Sequence, residues 1–151
     1  MKKISPTSAP ASPRNLKKRV LVVEDHPLMR RSLVEAIERE TDLMVCGQAQ
    51  DAEDALAAIP LLLPHLVLTD IQLKSSSGLD LIKAIRAHAP ELPIVATTMF
   101  DVQRTERLAR AAGATGFVAK QDGPEKLIAT VLEVLKTGKE PDEISSGGNT
   151  P

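Results

Sequence analysis

The chain has 151 residues, 19 basic against 20 acidic, and 42% of them are hydrophobic; this is the size and apolar content of one folded domain, not of a disordered chain. No run approaches the roughly 18 apolar residues of a membrane span, and no apolar stretch follows the basic N-terminus as in a secretory signal. One cysteine, Cys46, excludes an intramolecular disulfide and a multi-cysteine zinc site, and with no Trp or Tyr beside Phe100 and Phe117 there is no stacking platform for bases.

Residues 1–19 hold six bases and no acid, with Pro6, Pro10 and Pro13 among Ser, Thr and Ala. Residues 1–17 read as a flexible basic tail, a solubilising end rather than a DNA-binding arm. At the other end, 139–151 reads Glu-Pro-Asp-Glu and then Ser-Ser-Gly-Gly after Lys139. It is expected to be a flexible tail or a truncated linker. The span 20–138 keeps 12 bases and 17 acids, and the folded unit is placed at 18–138.

Inside that unit two kinds of segment alternate. Short apolar runs suited to strands occur at Val20–Val23, Leu43–Ala49, Leu66–Thr69, Ile94–Thr98 and Thr115–Ala119. Helical stripes lie between them. The first holds Leu28, Leu33, Val34 and Ile37 behind Pro27, a residue suited to a first helical turn. The second holds Ala52, Leu56 and Ile59, with Pro60 and Pro64 expected to stop it. Leu79, Ile82 and Ile85 form the third, ending near Pro90. Val102, Leu108 and Ala112 form a fourth, capped by Gly113. Leu127, Ile128, Val131, Leu132 and Leu135 form the fifth, ending near Gly138.

Five strand–helix units in series require parallel pairing, because parallel neighbours need long crossovers. Val-Leu-Val-Val of run one and Leu-Val-Leu of run three are apolar at every position, as central strands covered on both faces are; the mixed second run belongs nearer an edge. Right-handed crossovers then give an α/β, flavodoxin-like (βα)5 doubly wound parallel sheet of order 2-1-3-4-5 in a three-layer sandwich.

In such sheets function gathers beyond the carboxyl ends of the strands. Strand one ends in Glu24-Asp25, strand three in Asp70, strand four in Thr98 and strand five in Lys120. With strands one and three adjacent, three carboxylates meet. At about 5 Å and an effective dielectric near 20, each pair of them costs about 3 kcal/mol. A divalent cation removes that cost, and all-oxygen ligands suit Mg²⁺. A carboxylate nucleophile, a metal, an ammonium and a hydroxyl together suit phosphoryl transfer. Rival chemistries lack their motifs: there is no Gly-x-x-x-x-Gly-Lys-Ser/Thr, no Gly-x-Gly-x-x-Gly and no Asp-x-Asp after strand one or three. The acidic turn Glu-Asp-His-Pro would also repel a flavin phosphate.

The ordered series Val-Leu-Val-Val-Glu24-Asp25-His26-Pro27, Leu-Val-Leu-Thr-Asp70-Ile-Gln-Leu with Gly78, Pro93-Ile-Val-Ala-Thr-Thr98 and Gly113-Ala-Thr-Gly116-Phe117-Val-Ala-Lys120 resembles the receiver domain of two-component response regulators. Asp-His-Pro after strand one and Gly-Ala-x-Gly before strand five resemble receivers of the NarL/LuxR type. The resemblance covers roughly residues 18–138.

That resemblance implies a signalling switch rather than a turnover enzyme. Asp70 is the implied phosphoacceptor. Glu24, Asp25, Asp70 and the Gln72 carbonyl are the implied Mg²⁺ site, with Thr98 and Lys120 on the phosphate. Phe117 falls at the aromatic switch position, which follows Thr98 inward and remodels the face of helix four, strand five and helix five. Gln72 and Phe100 fall where the family tunes phosphate lifetime. The implied partner is a sensor histidine kinase or a phosphotransfer protein; dimerisation on phosphorylation is left open. A cytoplasmic location is expected, with no membrane partner, and DNA contact only through a helix-turn-helix domain absent from this chain. A phosphorylation-independent interaction module is the remaining alternative. The family usually has Pro four residues after the acceptor. Lys74 stands there, followed by Ser75, Ser76 and Ser77, so a more mobile, solvated loop is expected.

Other polar residues have plainer readings. Asp25 also suits a helix N-cap before Pro27. His26, His65 and His88 lie in separate elements without metal spacing, and Cys46 reads as a small buried hydrophobe.

Overall fold

The computed structural model describes residues 16–138. The expectations for 1–15 and 139–151 fall outside the described residues. Strands and helices alternate: β1 (Lys18–Val23), α1 (Pro27–Glu38), β2 (Leu43–Ala49), α2 (Ala52–Leu62), β3 (Leu66–Asp70), α3 (Gly78–His88), β4 (Ile94–Thr98), α4 (Val102–Ala112), β5 (Gly116–Ala119) and α5 (Pro124–Thr137). A 3-10 turn, Lys120–Asp122, joins β5 to α5.

The five strands form one parallel sheet of order β2-β1-β3-β4-β5. Alternation sends successive side chains to opposite faces, so the sheet carries two cores. Leu21, Val23, Val67, Ile94, Ala96 and Phe117 pack with Leu81, Ile82 and Ile85 of α3 and Ala109 of α4. Val20, Val22, Leu66, Leu68, Val95 and Val118 pack with Leu33 and Ile37 of α1 and with Leu127 and Val131 of α5. β3 and β4 are buried at every position, as central strands must be when helices cover both faces. β2 is the mixed edge strand. Its register against β1 slips between Val20 and Leu21, so that Val45 and Gly47 are paired and Cys46 is passed over. Cys46 is accordingly only half-buried.

Several local expectations need correction. Pro60 does not stop α2, which runs on to Leu62. A proline in the last turn forfeits one hydrogen bond, and the Leu63 N–H still reaches the Ile59 carbonyl at 2.9 Å. The helix ends at Leu63, in the left-handed region, before Pro64. Leu28 and Leu108 are exposed rather than part of the core stripes. Each lies one position off a stripe spaced i, i+4, i+7: Met29-Leu33-Ala36 in α1 and Thr105-Ala109-Ala112 in α4.

Gly78 fixes the approach of α3 to the sheet end. A Cβ there would collide with the Asp70 carbonyl and with Ile71 backbone, so only glycine lets α3 start against the strand that carries Asp70.

Candidate acidic site

The parallel sheet brings the carboxyl ends of three strands together. Glu24 and Asp25 follow β1, Asp70 ends β3, and Lys120 follows β5. One carboxylate oxygen each from Glu24, Asp25 and Asp70 lies within 4.8 Å of the other two. Such an all-oxygen set fits a hard divalent cation.

Lys120 Nζ sits inside the cluster. It donates to Glu24 Oε1 at 2.7 Å and to Asp70 Oδ2 at 3.0 Å, and all three side chains are almost wholly buried. The other Asp70 oxygen, Oδ1, accepts the Gln72 backbone N–H at 3.0 Å. Both acceptor oxygens are therefore held in place by one ammonium and one amide. Burial pushes the Glu24 carboxyl above the usual carboxylate range; the Lys120 hydrogen bond opposes this, and the Asp70 charge adds to it.

The β1–α1 turn is fixed from both ends. The Arg30 guanidinium donates to the Glu24 carbonyl at 2.8 Å, and the His26 N–H donates to Glu24 Oε2 at 3.3 Å. His26, not Asp25, caps α1, because its Nδ1 accepts the Met29 N–H. Asp25 is left free of capping and accepts the Lys74 backbone N–H instead. This bond ties the β3–α3 loop to the acidic turn.

In that loop Lys74 and Ser75 are exposed, as expected of a solvated segment, while the next two serines are tied down. Ser76 Oγ accepts the Ala52 N–H at 2.9 Å, and Ser77 Oγ caps α3 by accepting the Asp80 N–H at 3.2 Å. Ser77 also bridges to Gln72.

Thr98 and Phe117 share the α3–α4 side of the sheet. Thr98 is fully buried, and its hydroxyl is bonded to Gln72 and to the Phe100 backbone. It donates to Gln72 Oε1 at 2.7 Å and accepts the Phe100 N–H at 3.2 Å. Phe117 is buried in the α3–α4 core, whereas Phe100 is 67% exposed. Of the sequence candidates, Glu24, Asp25, Asp70 and Lys120 thus form one cluster. Gln72 joins it by its N–H, and Thr98 and Phe100 connect to it only through Gln72. Arg30, Lys74 and Ser77 were not singled out for the site. Only the spacing of Arg30 from Glu24 and the cap position of Ser77 hold a signal in the text. A backbone N–H such as that of Lys74 has none.

The family model for the response regulator receiver domain matches residues 20–132. The chain belongs to that family. The receiver domain is 34% identical over 113 residues to an uncharacterized transcriptional regulatory protein, YxjL, of Bacillus subtilis, covering 75% of this chain and 52% of that protein. It superposes on a LuxR-family two-component response regulator from Aurantimonas with a TM-score of 0.78 at 27% identity, covering 86% of this chain and 94% of the other. For the signal receiver domain of the putative response regulator NarL from Mycobacterium tuberculosis, the TM-score is 0.74 at 30% identity, covering 81% and 98%. It is a receiver of the NarL/LuxR type. The chain spans about half the length of the curated relatives it matches. Among the described residues no helix is long and apolar enough to cross a membrane.

Proposed function

We propose that residues 18–138 form a phosphorylation-controlled switch in which Asp70 accepts a phosphoryl group from the phosphohistidine of a sensor histidine kinase or a phosphotransfer protein. The observation that carries this reading is the double contact of Lys120 with Asp70 and Glu24 inside the three-carboxylate cluster. A buried ammonium beside a carboxylate whose second oxygen is held by an N–H orients a nucleophile and neutralises incoming charge.

Asp70 attacks phosphorus; the new P–O bond forms as the P–N bond to the donor imidazole breaks. The imidazole leaves with its electron pair and takes up a proton. Glu24, Asp25, Asp70 and the Gln72 carbonyl would hold Mg²⁺, which when bound neutralises the phosphoryl oxygens and the crowded carboxylates. Lys120 then pairs with the acyl phosphate. Water later attacks phosphorus and frees inorganic phosphate and the Asp70 carboxylate. The domain so serves signalling and not turnover of an external substrate.

The Thr98 hydroxyl turns from Gln72 to the phosphate, and Phe117 adjusts behind it, altering the face of α4, β5 and α5. Only contacts that differ between the two packings can drive this shift. Gln72 and Phe100, at the mouth of the site, set the phosphate lifetime. DNA control through a separate domain is the favoured output, since relatives with transcription-regulator names are about twice as long as the match.

The test is incubation with acetyl phosphate and Mg²⁺, read by intact mass. One phosphoryl group is expected, and none with a chelator. An unchanged mass with Mg²⁺ would favour a phosphorylation-independent interaction module.

A further inference from the structure

Thr97 has no role in the chemistry above. It is 1% exposed, and its hydroxyl has no hydrogen-bond partner among the described residues. An orphaned buried hydroxyl destabilises the state that contains it, so the structure must be read for the state in which it is satisfied.

The strand register gives its surroundings. Thr97 pairs with Asp70 on one side and with Val118 on the other. Paired residues on neighbouring strands project to the same face of a sheet. Leu68 and Val95, each two residues earlier, belong to the core under α1 and α5. The Thr97 and Asp70 side chains therefore emerge side by side on that face, where Lys120 reaches Asp70. Thr97 and Lys120 also line one cavity between α1 and α5, together with Met29 and Leu127.

Lys120 has three N–H donors. Two go to Glu24 at 2.7 Å and to Asp70 at 3.0 Å. Glu24 is also one of the three carboxylates that suit a divalent ion, so ion loading competes with Lys120 for it. An ammonium that loses a buried carboxylate needs another acceptor close by. The Thr97 hydroxyl lies on the same face and lines the same cavity.

We propose that Thr97 is a positioning residue for Lys120: when the ion-loaded, phosphorylated pocket draws Glu24 away, Lys120 Nζ donates to Thr97 Oγ1 and stays aligned on Asp70. The inference rests on the receiver reading. In the resting domain the hydroxyl is a cost, and in the loaded domain it is a contact. Stability and function should therefore move in opposite directions when it is removed.

The experiment uses the 151-residue chain, Thr97→Val as an isosteric loss of the hydroxyl, and Thr97→Ser as the variant that keeps it. In chelator, T97V is expected to melt about 3 °C above wild type. With Mg²⁺ and beryllofluoride as phosphoryl mimic, its stabilisation on binding is smaller than that of wild type. Its labelling rate from acetyl phosphate falls about tenfold, and T97S recovers most of that rate. On a Lys120→Gln background, T97V has no further effect on the labelling rate, as expected for a residue that acts through Lys120, while its gain in stability in chelator remains. A T97V protein that is no more stable than wild type in chelator, or that labels at the wild-type rate, would overturn the assignment. So would full additivity with K120Q in the labelling rate. A wild type that takes no label would refute the receiver reading itself, whereas a labelled wild type with an indifferent T97V would refute only the role of Thr97.

Discussion

The Thr98 hydroxyl is bound to the Gln72 side-chain amide at 2.7 Å. The hydroxyl must leave this partner before it can bond a phosphate. Gln72 therefore stabilises the resting arrangement by about 1 kcal/mol, the net worth of one neutral hydrogen bond.

Gln72→Ala should extend the life of the phosphorylated state about fivefold, since about 1 kcal/mol is a factor of that size. Decay of the labelled species by intact mass at fixed Mg²⁺ measures it. An unchanged or shortened lifetime would show that the amide does not restrain Thr98.

Glu24 is buried with its carboxyl raised, first by desolvation, against the opposing pull of Lys120. Glu24→Gln removes a charge that the ion-free pocket disfavours. In chelator the variant should melt above wild type by calorimetry. In saturating Mg²⁺ that advantage should vanish, because the ion offsets the same penalty in wild type. A variant less stable than wild type in chelator would mean that the Lys120 pair outweighs burial.

His65 supplies a pH dependence remote from the site. Its Nδ1 accepts the Arg19 N–H at 2.9 Å, and burial, followed by the charges of Arg19 and Lys18, lowers its pKa from 6.5. The unfolded chain then takes the proton more readily than the folded one. Stability is full above about pH 6.5 and falls as pH drops through the lowered folded value. His65→Gln should be less stable than wild type at pH 7.5, and the gap should narrow by pH 5. Parallel melting curves at both pH values would contradict this.

Leu63 caps α2 with φ 49° and is 64% exposed. A side chain in this left-handed conformation costs about 1 kcal/mol, which glycine avoids. Leu63→Gly should raise denaturant stability by about 0.5–1 kcal/mol. The Arg19 contact to the Leu63 carbonyl survives the change, because it uses backbone.

The sheet and the acidic cluster were legible because each has a direct trace in the text. The all-apolar runs ending at Val23 and Leu68 marked central strands, and their adjacency brought Glu24, Asp25 and Asp70 together. Where the trace is missing, the reading failed or stopped short. Leu28 is apolar yet exposed, because one residue of phase decides which side of a helix it takes. His26 displaced Asp25 as the cap because either side chain can accept a helix N–H, and Asp25 had the Lys74 amide as a competing partner. Ser76 and Ser77 look solvated in sequence, but their hydroxyls satisfy the first N–H groups of α2 and α3. The Thr98–Gln72 bond joins the end of β4 to the β3–α3 loop and has no periodicity to announce it. The orphaned Thr97 hydroxyl becomes visible only after register places it beside Asp70.

The central claim is that Asp70 itself carries the phosphoryl group. The most direct measurement is borohydride reduction after labelling with acetyl phosphate and Mg²⁺, followed by peptide mass spectrometry. Reduction of an aspartyl phosphate leaves homoserine, and it should appear at residue 70 alone and be absent in chelator and in Asp70→Asn. Homoserine at another aspartate, or a label on a serine of the 75–77 loop with residue 70 unmodified, would contradict the account.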